Sequence, residues 1–473
     1  MIRFDLDLVP EGVRRIRRAL ADQPVYVVGG ILRDSILDAL DRGMEEITEV
    51  RGDDWDLATS ARPEEVLAVL ERAGIRVVPI GIDHGTVAAI IDRKQYEITT
   101  FRKDRICDGR HAVVEFSHSL EDELERRDFT INAFALDLDT GGIYDPLGGI
   151  EDLKTRTVRA IGEPTTRFQE DYLRMLRAVR FAAQIEGRIE PKTWRALCQQ
   201  SENISKISPE RIRDEILKLM KTPQPSVGFR MMLESGLLKR ILPEFDNCFG
   251  VAQNRYHPDC VGEHTVHCVD EVSPRFPFLR WVMLLHDIGK PLMKAFAEEK
   301  DDYVFYDHQF EGESMAEEIM RRLRFSNSEI ETAQVLIREH MFNLTPDLSK
   351  KGVRRLVRRV GAERIRDLLR LRIADRLGNR SNPRTLEPHF KKLIRQIREI
   401  ERDEECLHIK DLAIGGKELI ARGLRPGPVF SKILNALLER VLDDPSLNTP
   451  EDLNQLVDEW LRTQNGTKPH CPT

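Results

Sequence analysis

Two aspartates one residue apart, Asp54 and Asp56 in "RGDDWDLAT" (51–59), have the type and spacing to do chemistry. In a strand, residues i and i+2 share a face, so the pair would present two carboxylates together with Trp55 turned into the core behind them. Two hard oxygen donors on one edge suit Mg²⁺, which keeps several waters and takes its other ligands from substrate phosphates. Such ions serve in-line displacements in which a hydroxyl attacks and pyrophosphate leaves. An acidic tripeptide alone reads as a solvated turn, and the flanking residues decide between the two. Asp53 is left over as a turn or capping residue. Upstream, "GGILRD" (29–34) places Gly29 and Gly30 before a helix, where backbone and dipole favour a triphosphate, and Arg33 adds a charged fork.

Further along, "RRDFTINA" (126–133) holds Asp128, an acceptor for a ribose hydroxyl. Arg126 and Arg127 can meet phosphates, and Asn132 can pin the loop or the sugar. In "EDYLRMLRAVRF" (170–181), helical spacing puts Asp171 and Arg174 on one face, with Arg177 a turn further on. An Asp acceptor beside a planar row of Arg donors can read the edge of a nucleobase. The reading that competes is a surface salt bridge, which contributes little.

The elements that must position these residues follow from periodicity. Over the first 150 or so residues strands alternate with helices: "PVYVVGG", "DWDLATS", "IRVVPIG", "TVAAIID" and "QYEITTF" read as strands, the last two as a hairpin. "ILRDSILDAL" and "RPEEVLAVLERAG" read as helices, the second closed by Gly74. After "GGIYDPLGGIEDL" strand signals stop, and nearly everything from 165 to 460 is helical. The fold class is an α/β head followed by an all-α body, with no internal repeat and only "QNGTKPHCPT" at the C-terminus expected to be disordered.

Composition sets the outer limits. The chain has 473 residues, 41% hydrophobic and 32% charged, and a net charge of −7. No apolar run is long enough for a membrane helix, and the N-terminus lacks an apolar signal segment. Seven scattered cysteines without a CxxC pair point to free thiols in a reducing cytoplasm and away from a cysteine zinc site. The run "KKGVRRLVRRVGAERIRDLLRLRIADRLGNR" (350–380) is strongly basic, either a solvated helix face or a track for a phosphate backbone.

Taken in order, these motifs resemble the head of the class II tRNA nucleotidyltransferase and poly(A) polymerase family, within the polymerase-β-like superfamily. "HGTV" (84–87), "EITTFR" (97–102), a loop at "DGRHA" (108–112) and "DPLGGIEDL" (145–153) extend the match. The resemblance implies an elongated multidomain protein: a palm-like head over 1–152, a helical neck over 153–225, an HD-type body over 226–397 and a tail over 398–473. It implies template-independent addition of CCA to the tRNA 3′ end from CTP and ATP, with Mg²⁺ on Asp54 and Asp56. Gly29, Gly30, Arg33, Arg127, Asp128 and Asn132 would bind the nucleotide, and Asp171, Arg174, Arg177 and Arg180 would line the base-recognition helix. The neck and the basic helices near 350–380 would receive the acceptor arm. Within the family, a CC-adding or A-adding enzyme or a poly(A) polymerase is the alternative; the segment "KDRICDGRHAVVEFSHSLEDELE" retains a loop, which favours full CCA addition.

A second resemblance lies in the body. "GEHTVHCVDEV", "LRWVMLLHDIGKP", "DHQFEGES", "IREHMF" and "RIADR" are similar to the HD metal-dependent phosphohydrolases. The ligand set implied is His264, His286, Asp287 and Asp375, with His308 and His340 where dinuclear members place extra ligands and His267 a neighbour. Imidazole with carboxylate suits Mn²⁺, Fe, Ni²⁺ or Zn²⁺. A phosphatase or cyclic phosphodiesterase activity on tRNA ends is the implied role. A protein that is primarily such a hydrolase would show a degraded DxD or base-reading helix, and neither is degraded. The sequence is compatible with a cytoplasmic monomer or homodimer and with no membrane partner.

Overall fold

The computed structural model describes residues 2–81, 85–107, 112–342, 349–385, 387–403 and 406–465. Packing divides the chain into two units, one of Met1–Phe249 with Ser273–Trp281 and Ile319–Phe325, the other of Gly250–Val272, Val282–Glu318 and Ser326–Thr473. Of the lobes expected from the sequence, 1–152 and 153–225 fall in the first unit and 398–473 in the second, whereas 226–397 is divided between the two.

In the first unit the alternating pattern folds into a seven-stranded mixed sheet. Its strand order is Ile143–Tyr144, Ala135–Asp137, Val25–Val28, Asp56–Thr59, Lys94–Thr100, Thr86–Ile91 and Arg76–Gly81. The strand Asp56–Thr59 is central, antiparallel to Val25–Val28 and parallel to Lys94–Thr100. Thr86–Ile91 and Lys94–Thr100 form the expected hairpin through Asp92 and Arg93, whose φ values of 51° and 64° suit the twist of a two-residue turn. The helix Pro63–Arg72 begins with a proline and with Glu65 accepting the Arg62 N–H at 3.0 Å, and ends near Gly74 at φ 72°. Val28, Ala58, Phe101, Ala133 and Ala135 pack one face of the sheet into a common core.

Two expectations about strands need correction. The strand drawn from Asp54 starts at Asp56, so Asp54 belongs to the preceding loop. Strands also recur after residue 153, as the parallel pair Thr157–Val158 with Arg188–Ile189 and the hairpin Ala295–Ala297 with Asp302–Val304. Pairs of two or three residues carry too little periodicity to be seen in a sequence.

Two further strand pairs, Arg3–Phe4 with Glu46–Ile47 and Arg102–Cys107 with Ala112–Phe116, lie in the first unit, and the remaining elements of both units are helices. In the first, Leu173–Gln184 packs against Pro209–Leu219, and Arg280, 1% exposed, donates to the carbonyls of Met220 (2.7 Å) and Thr222 (2.6 Å) just past the second of these helices. A guanidinium there satisfies carbonyls that the helix end leaves without partners. The last helix, Pro450–Asn465, takes in the first two residues of the expected disordered end, and 466–473 lie outside the described residues. Among the described residues no helix is long and apolar enough to cross a membrane. Cys198, Cys248, Cys260, Cys268 and Cys406 take part in no disulfide.

Candidate active site and a histidine–carboxylate cluster

Asp56 opens the central strand opposite Val28, and the chain leaves Val28 through Gly29 into the helix Gly30–Asp41. Gly29 has φ 92°, and a Cβ on it would fall 2.8 Å from Asp56 Oδ2, so both the backbone angle and the close approach require glycine. The carboxylate therefore lies against the turn whose following helix N-terminus offers free N–H groups. Trp55 is 4% exposed and packs edge-on against Phe4 at 6.3 Å, while Asp54 is exposed. The division into an inward tryptophan and outward carboxylates holds, although a loop rather than a strand aims Asp54. Asp53 is 93% exposed and faces Lys94 at 3.7 Å, which fits a turn residue.

Burial raises the Asp56 carboxyl to about 6, with the Asp54 and Glu97 charges adding to it and Arg127 opposing. A carboxylate so placed resists ionisation until a cation joins it, and its donors are hard oxygens. That is the observation by which this edge fits Mg²⁺. Because a proton competes for Asp56, the Mg²⁺ concentration for half-maximal activity should rise roughly tenfold per pH unit below about 6. A Mg²⁺ titration at pH 5.0, 6.0 and 7.5 checks this, and a flat requirement would contradict it.

Asp56 forms one wall of a cleft of about 500 Å³. Gly29, Gly30, Arg33, Arg127, Asp128, Asn132, Asp171, Arg174, Arg177 and Arg180 all line it, so every nucleotide-binding residue expected from the sequence meets in one place. Seven Arg and Lys side chains and three Asp line it, and the cations are held in turn by Asp34, Glu123, Asp128, Glu170 and Glu215.

Several of these residues are held differently from expectation. Asp171 and Arg174 do not share a helix: the helix starts at Leu173, and Asp171 sits before it in extended backbone, accepting the Leu173 N–H at 3.1 Å. A short Asp side chain competes for backbone donors and so favours a helix start over its interior. Asp171 pairs with Arg211 at 2.6 Å, and Arg174 bonds Glu170. Arg33 is 6% exposed, with Nε and Nη2 on Asp34 (2.8 and 3.0 Å) and Nη1 on Asn132 (2.8 Å), so much of its fork is committed to protein. Asn132 pins the loop, donating to Asp128 Oδ1 at 2.9 Å, and Arg177 Nε meets Asp128 Oδ2 at 2.6 Å. Burial pushes the Asp128 carboxyl up, but Arg177 and the Asn132 bond outweigh it and hold it below the usual range.

In the second unit, all six histidine and aspartate residues expected in the body converge. His286, His308 and His340 each place Nδ1 against the carbonyl three residues back (Met283 2.7 Å, Phe305 2.7 Å, Ile337 2.6 Å). A carbonyl partner at Nδ1 turns each Nε2 inward, the atom by which such an imidazole can hold a metal ion. The His308 and His340 Nε2 atoms are 3.3 Å apart, and Asp287 Oδ1 lies 3.2 and 3.7 Å from them. Asp287 Oδ2 faces His286 (3.1 Å) and His264 (3.8 Å), and Asp375 Oδ1 lies 3.2 Å from His264. His286 Nε2 is buried without a hydrogen bond. Burial lowers the His286 pKa, yet Asp287 and Asp375 outweigh it and bring it to about 9, because two carboxylates here demand a positive charge. The donors form two groups, His264, Cys268, His286 and Asp375, then Asp287, His308 and His340, which fits divalent transition ions. His267 faces Glu263 at 4.0 Å instead.

The basic run 350–380 forms the helices Lys350–Val360 and Ile365–Gly378, and its charge is largely spent inside the unit. Arg355 and Arg358 pair with Glu439, Arg359 with Glu339, Arg364 with Glu331, Arg366 with Glu401 and Arg380 with Asp259. The sequence shows the cations in one run and their partners scattered, and so makes the stretch look free.

Other contributors went unseen in the sequence. Glu123, 0% exposed, gathers Arg126 (2.6 Å) and Arg127 (3.2 Å), and its spacing three and four residues ahead of them was a legible sign. Glu215, Arg211, Phe181 and Lys218 have no such local signature. Cys268 lies within the second cluster, beside His264 and His286, and Lys290 Nζ sits 2.6 Å from Asp287 Oδ2.

Comparison with known proteins agrees with this geometry. Residues 25–159 match the family described as "Poly A polymerase head domain", 188–249 "Probable RNA and SrmB- binding site of polymerase A", and 296–457 "tRNA nucleotidyltransferase domain 2 putative". The chain is 33% identical to the A-adding tRNA nucleotidyltransferase of Deinococcus radiodurans over 76% of its length and 83% of that protein. It is 30% identical to the CCA-adding enzyme of Lactobacillus helveticus over 92% of each. A crystal structure of the Bacillus stearothermophilus CCA-adding enzyme in complex with CTP superposes with a TM-score of 0.71 at 27% identity, covering 97% of this chain and 99% of that one. Fold, cleft and relatives agree: the chain belongs to the tRNA nucleotidyltransferase and poly(A) polymerase family and is a nucleotidyltransferase.

Proposed function

We propose that the protein completes or repairs the 3′-terminal CCA of tRNA from CTP and ATP. The observation that carries this is the Asp54–Asp56 edge set against an arginine-walled cleft of nucleotide size. Asp54 and Asp56 would hold Mg²⁺, which when bound offsets the charge that develops on the attacking and leaving oxygens. Gly29 and Gly30, at the helix start, receive the triphosphate, and Arg127 faces it across the cleft. Asp128, kept ionised by Arg177, accepts from the ribose. Asp171 and Arg174 offer acceptor and donor to the base: Asp171 accepts one bond at each oxygen and keeps a lone pair free at each. The head, neck, body and tail lobes over 1–152, 153–225, 226–397 and 398–473 are part of the same reading. Since the basic helices of the body are largely ion-paired, we assign the acceptor arm chiefly to the neck and the residues just after it, where 188–249 matches the family described as "Probable RNA and SrmB- binding site of polymerase A".

A second reading, addition of the terminal A alone, is favoured by the similarity to the A-adding enzyme of D. radiodurans. Incubating tRNA lacking CCA, ending in C and ending in CC with labelled CTP or ATP separates the two. Incorporation of CTP into the first two supports CCA addition, and labelling of the CC end by ATP alone supports the narrower enzyme.

For the second cluster, we propose a divalent transition ion on His264, His286, Asp287 and Asp375, with His308 and His340 completing a second position. Bound there, the ion supplies Lewis acidity toward a phosphate ester, and Arg372, Arg376 and Lys290 border an adjoining cleft of about 440 Å³ suited to phosphate. His286→Ala should remove most bound metal and any phosphohydrolase activity while leaving nucleotide incorporation within about twofold. Elemental analysis beside both assays checks it, and unchanged metal content would contradict the assignment.

A further inference from the structure

Phe181 lies where three guanidiniums converge. It stands on the helix Leu173–Gln184, 3% exposed, packed edge-on against Phe129 at 5.8 Å. The Cζ atoms of Arg33, Arg177 and Arg180 lie 4.7, 5.2 and 3.9 Å from its ring centroid. Three cations around one ring repel each other unless each is neutralised, and each is: Arg33 by Asp34, Arg177 by Asp128 and Arg180 by Glu215.

Two hydrogen-bonded chains connect these cations, and both begin on Arg33. In one, Arg33 Nη1 donates to Asn132 Oδ1 (2.8 Å), Asn132 Nδ2 to Asp128 Oδ1 (2.9 Å), and Arg177 Nε to Asp128 Oδ2 (2.6 Å). In the other, Arg33 Nε donates to Asp34 Oδ1 (2.8 Å), Gln184 Nε2 to the same oxygen (3.1 Å), and Arg180 Nη1 to Gln184 Oε1 (3.1 Å). Arg33 belongs to the helix whose N-terminus faces the triphosphate end of the cleft, and Arg177 and Arg180 to the helix of the base-reading Arg174. The phosphate end and the base end are thus closed into two loops, and the Phe181 ring fills the point where both loops return.

We propose that Phe181 is a specificity-determining positioning residue, which fixes the guanidinium orientations of the base-reading helix relative to the triphosphate end. This rests on the nucleotidyl-transfer reading of the cleft. An aromatic face attracts and orients cations, whereas an aliphatic side chain of similar size fills the volume without orienting anything. The Asp–Arg pair that selects a base discriminates by direction, because a misaligned donor leaves the wrong base no worse satisfied than the right one.

The test compares wild type, Phe181→Leu and Phe181→Tyr in the full chain. Equilibrium binding of CTP, ATP, UTP and GTP is measured with Mg²⁺ and without RNA, and single-nucleotide incorporation onto tRNA ends gives kcat and KM. Phe181→Leu should lose about tenfold of the preference for CTP and ATP over UTP and GTP, through KM, with kcat for the correct nucleotide within about twofold. Phe181→Tyr, which keeps the ring face, should retain the preference. Should Phe181→Leu not fold, Gln184→Leu breaks the second chain away from the ring and should shift the preference the same way by a smaller factor. A wild-type preference in the Leu variants overturns the proposal. So does equal loss in the Leu and Tyr variants with unchanged melting, or a wild type that binds all four nucleotides alike. A wild type that selects CTP and ATP in binding but transfers neither to RNA would instead overturn the transfer reading and leave the positioning role standing.

Discussion

Asp56→Asn should abolish nucleotide incorporation, by about 10³-fold or more, and at the same time stabilise the metal-free protein. The loss follows from removing a carboxylate that would hold Mg²⁺, since roughly 4 kcal/mol of transition-state stabilisation corresponds to that factor. The gain follows from where the carboxylate sits. Its pKa is raised to about 6 by burial and by Asp54, so the folded protein binds this proton more tightly than the unfolded chain does. Stability from this group is therefore full at pH below about 4, falls as pH rises from about 4 to 6, and stays reduced above that. At pH 7.5 in chelator the neutral amide escapes the penalty, about 1–3 kcal/mol. Urea unfolding of both proteins at pH 4.5 and 7.5 measures it: the variant should be the more stable at the higher pH, and the difference should shrink at the lower. Lower stability of the variant at pH 7.5 would contradict the account. A site built to hold a cation is a strained site without one.

The second large effect falls on stability itself. Glu123→Ala should cost about 3–5 kcal/mol, because the buried carboxylate is the common partner of two guanidiniums and its loss leaves both without counter-charge. Without Glu123, Arg127 would keep its Nη1 bond to the Asn132 carbonyl (3.2 Å), while its Nε has no hydrogen-bond partner. Both arginines line the cleft, and freed of Glu123 they should also raise KM for nucleotides about tenfold or more. Denaturant unfolding and steady-state kinetics check the two halves. Glu123→Gln, which keeps the shape, should be intermediate in both. A cost under about 1 kcal/mol would show that Glu123 does not organise these residues.

These two residues mark how far the sequence could be read. Asp56 was legible, because strand alternation and a glycine pair are local patterns, and the cleft gathers the residues those patterns nominate. What a period cannot state is where an element begins. Asp54 stands before the strand and Asp171 before the helix, and in each case a polar side chain at a boundary won over continuation of the period. Glu123 was legible in principle, three and four residues from the arginines it holds. Glu215 and Arg211 were not, because their contacts depend on how the helix Pro209–Leu219 packs against Leu173–Gln184. The body shows the same division. Its histidines and aspartates were nominated by the resemblance to the HD phosphohydrolases, and the basic run 350–380 by charge alone, since charge is visible in a sequence and its partner is not.

The central claim is that this cleft transfers nucleotides to an RNA 3′ end. The direct measurement is the mass of a tRNA trimmed of its CCA after incubation with the protein, CTP, ATP and Mg²⁺. Two cytidylate residues and one adenylate should be gained with wild type and none with Asp56→Asn. An unchanged mass with the wild-type protein, on this tRNA and on the same tRNA ending in CC, would contradict the account.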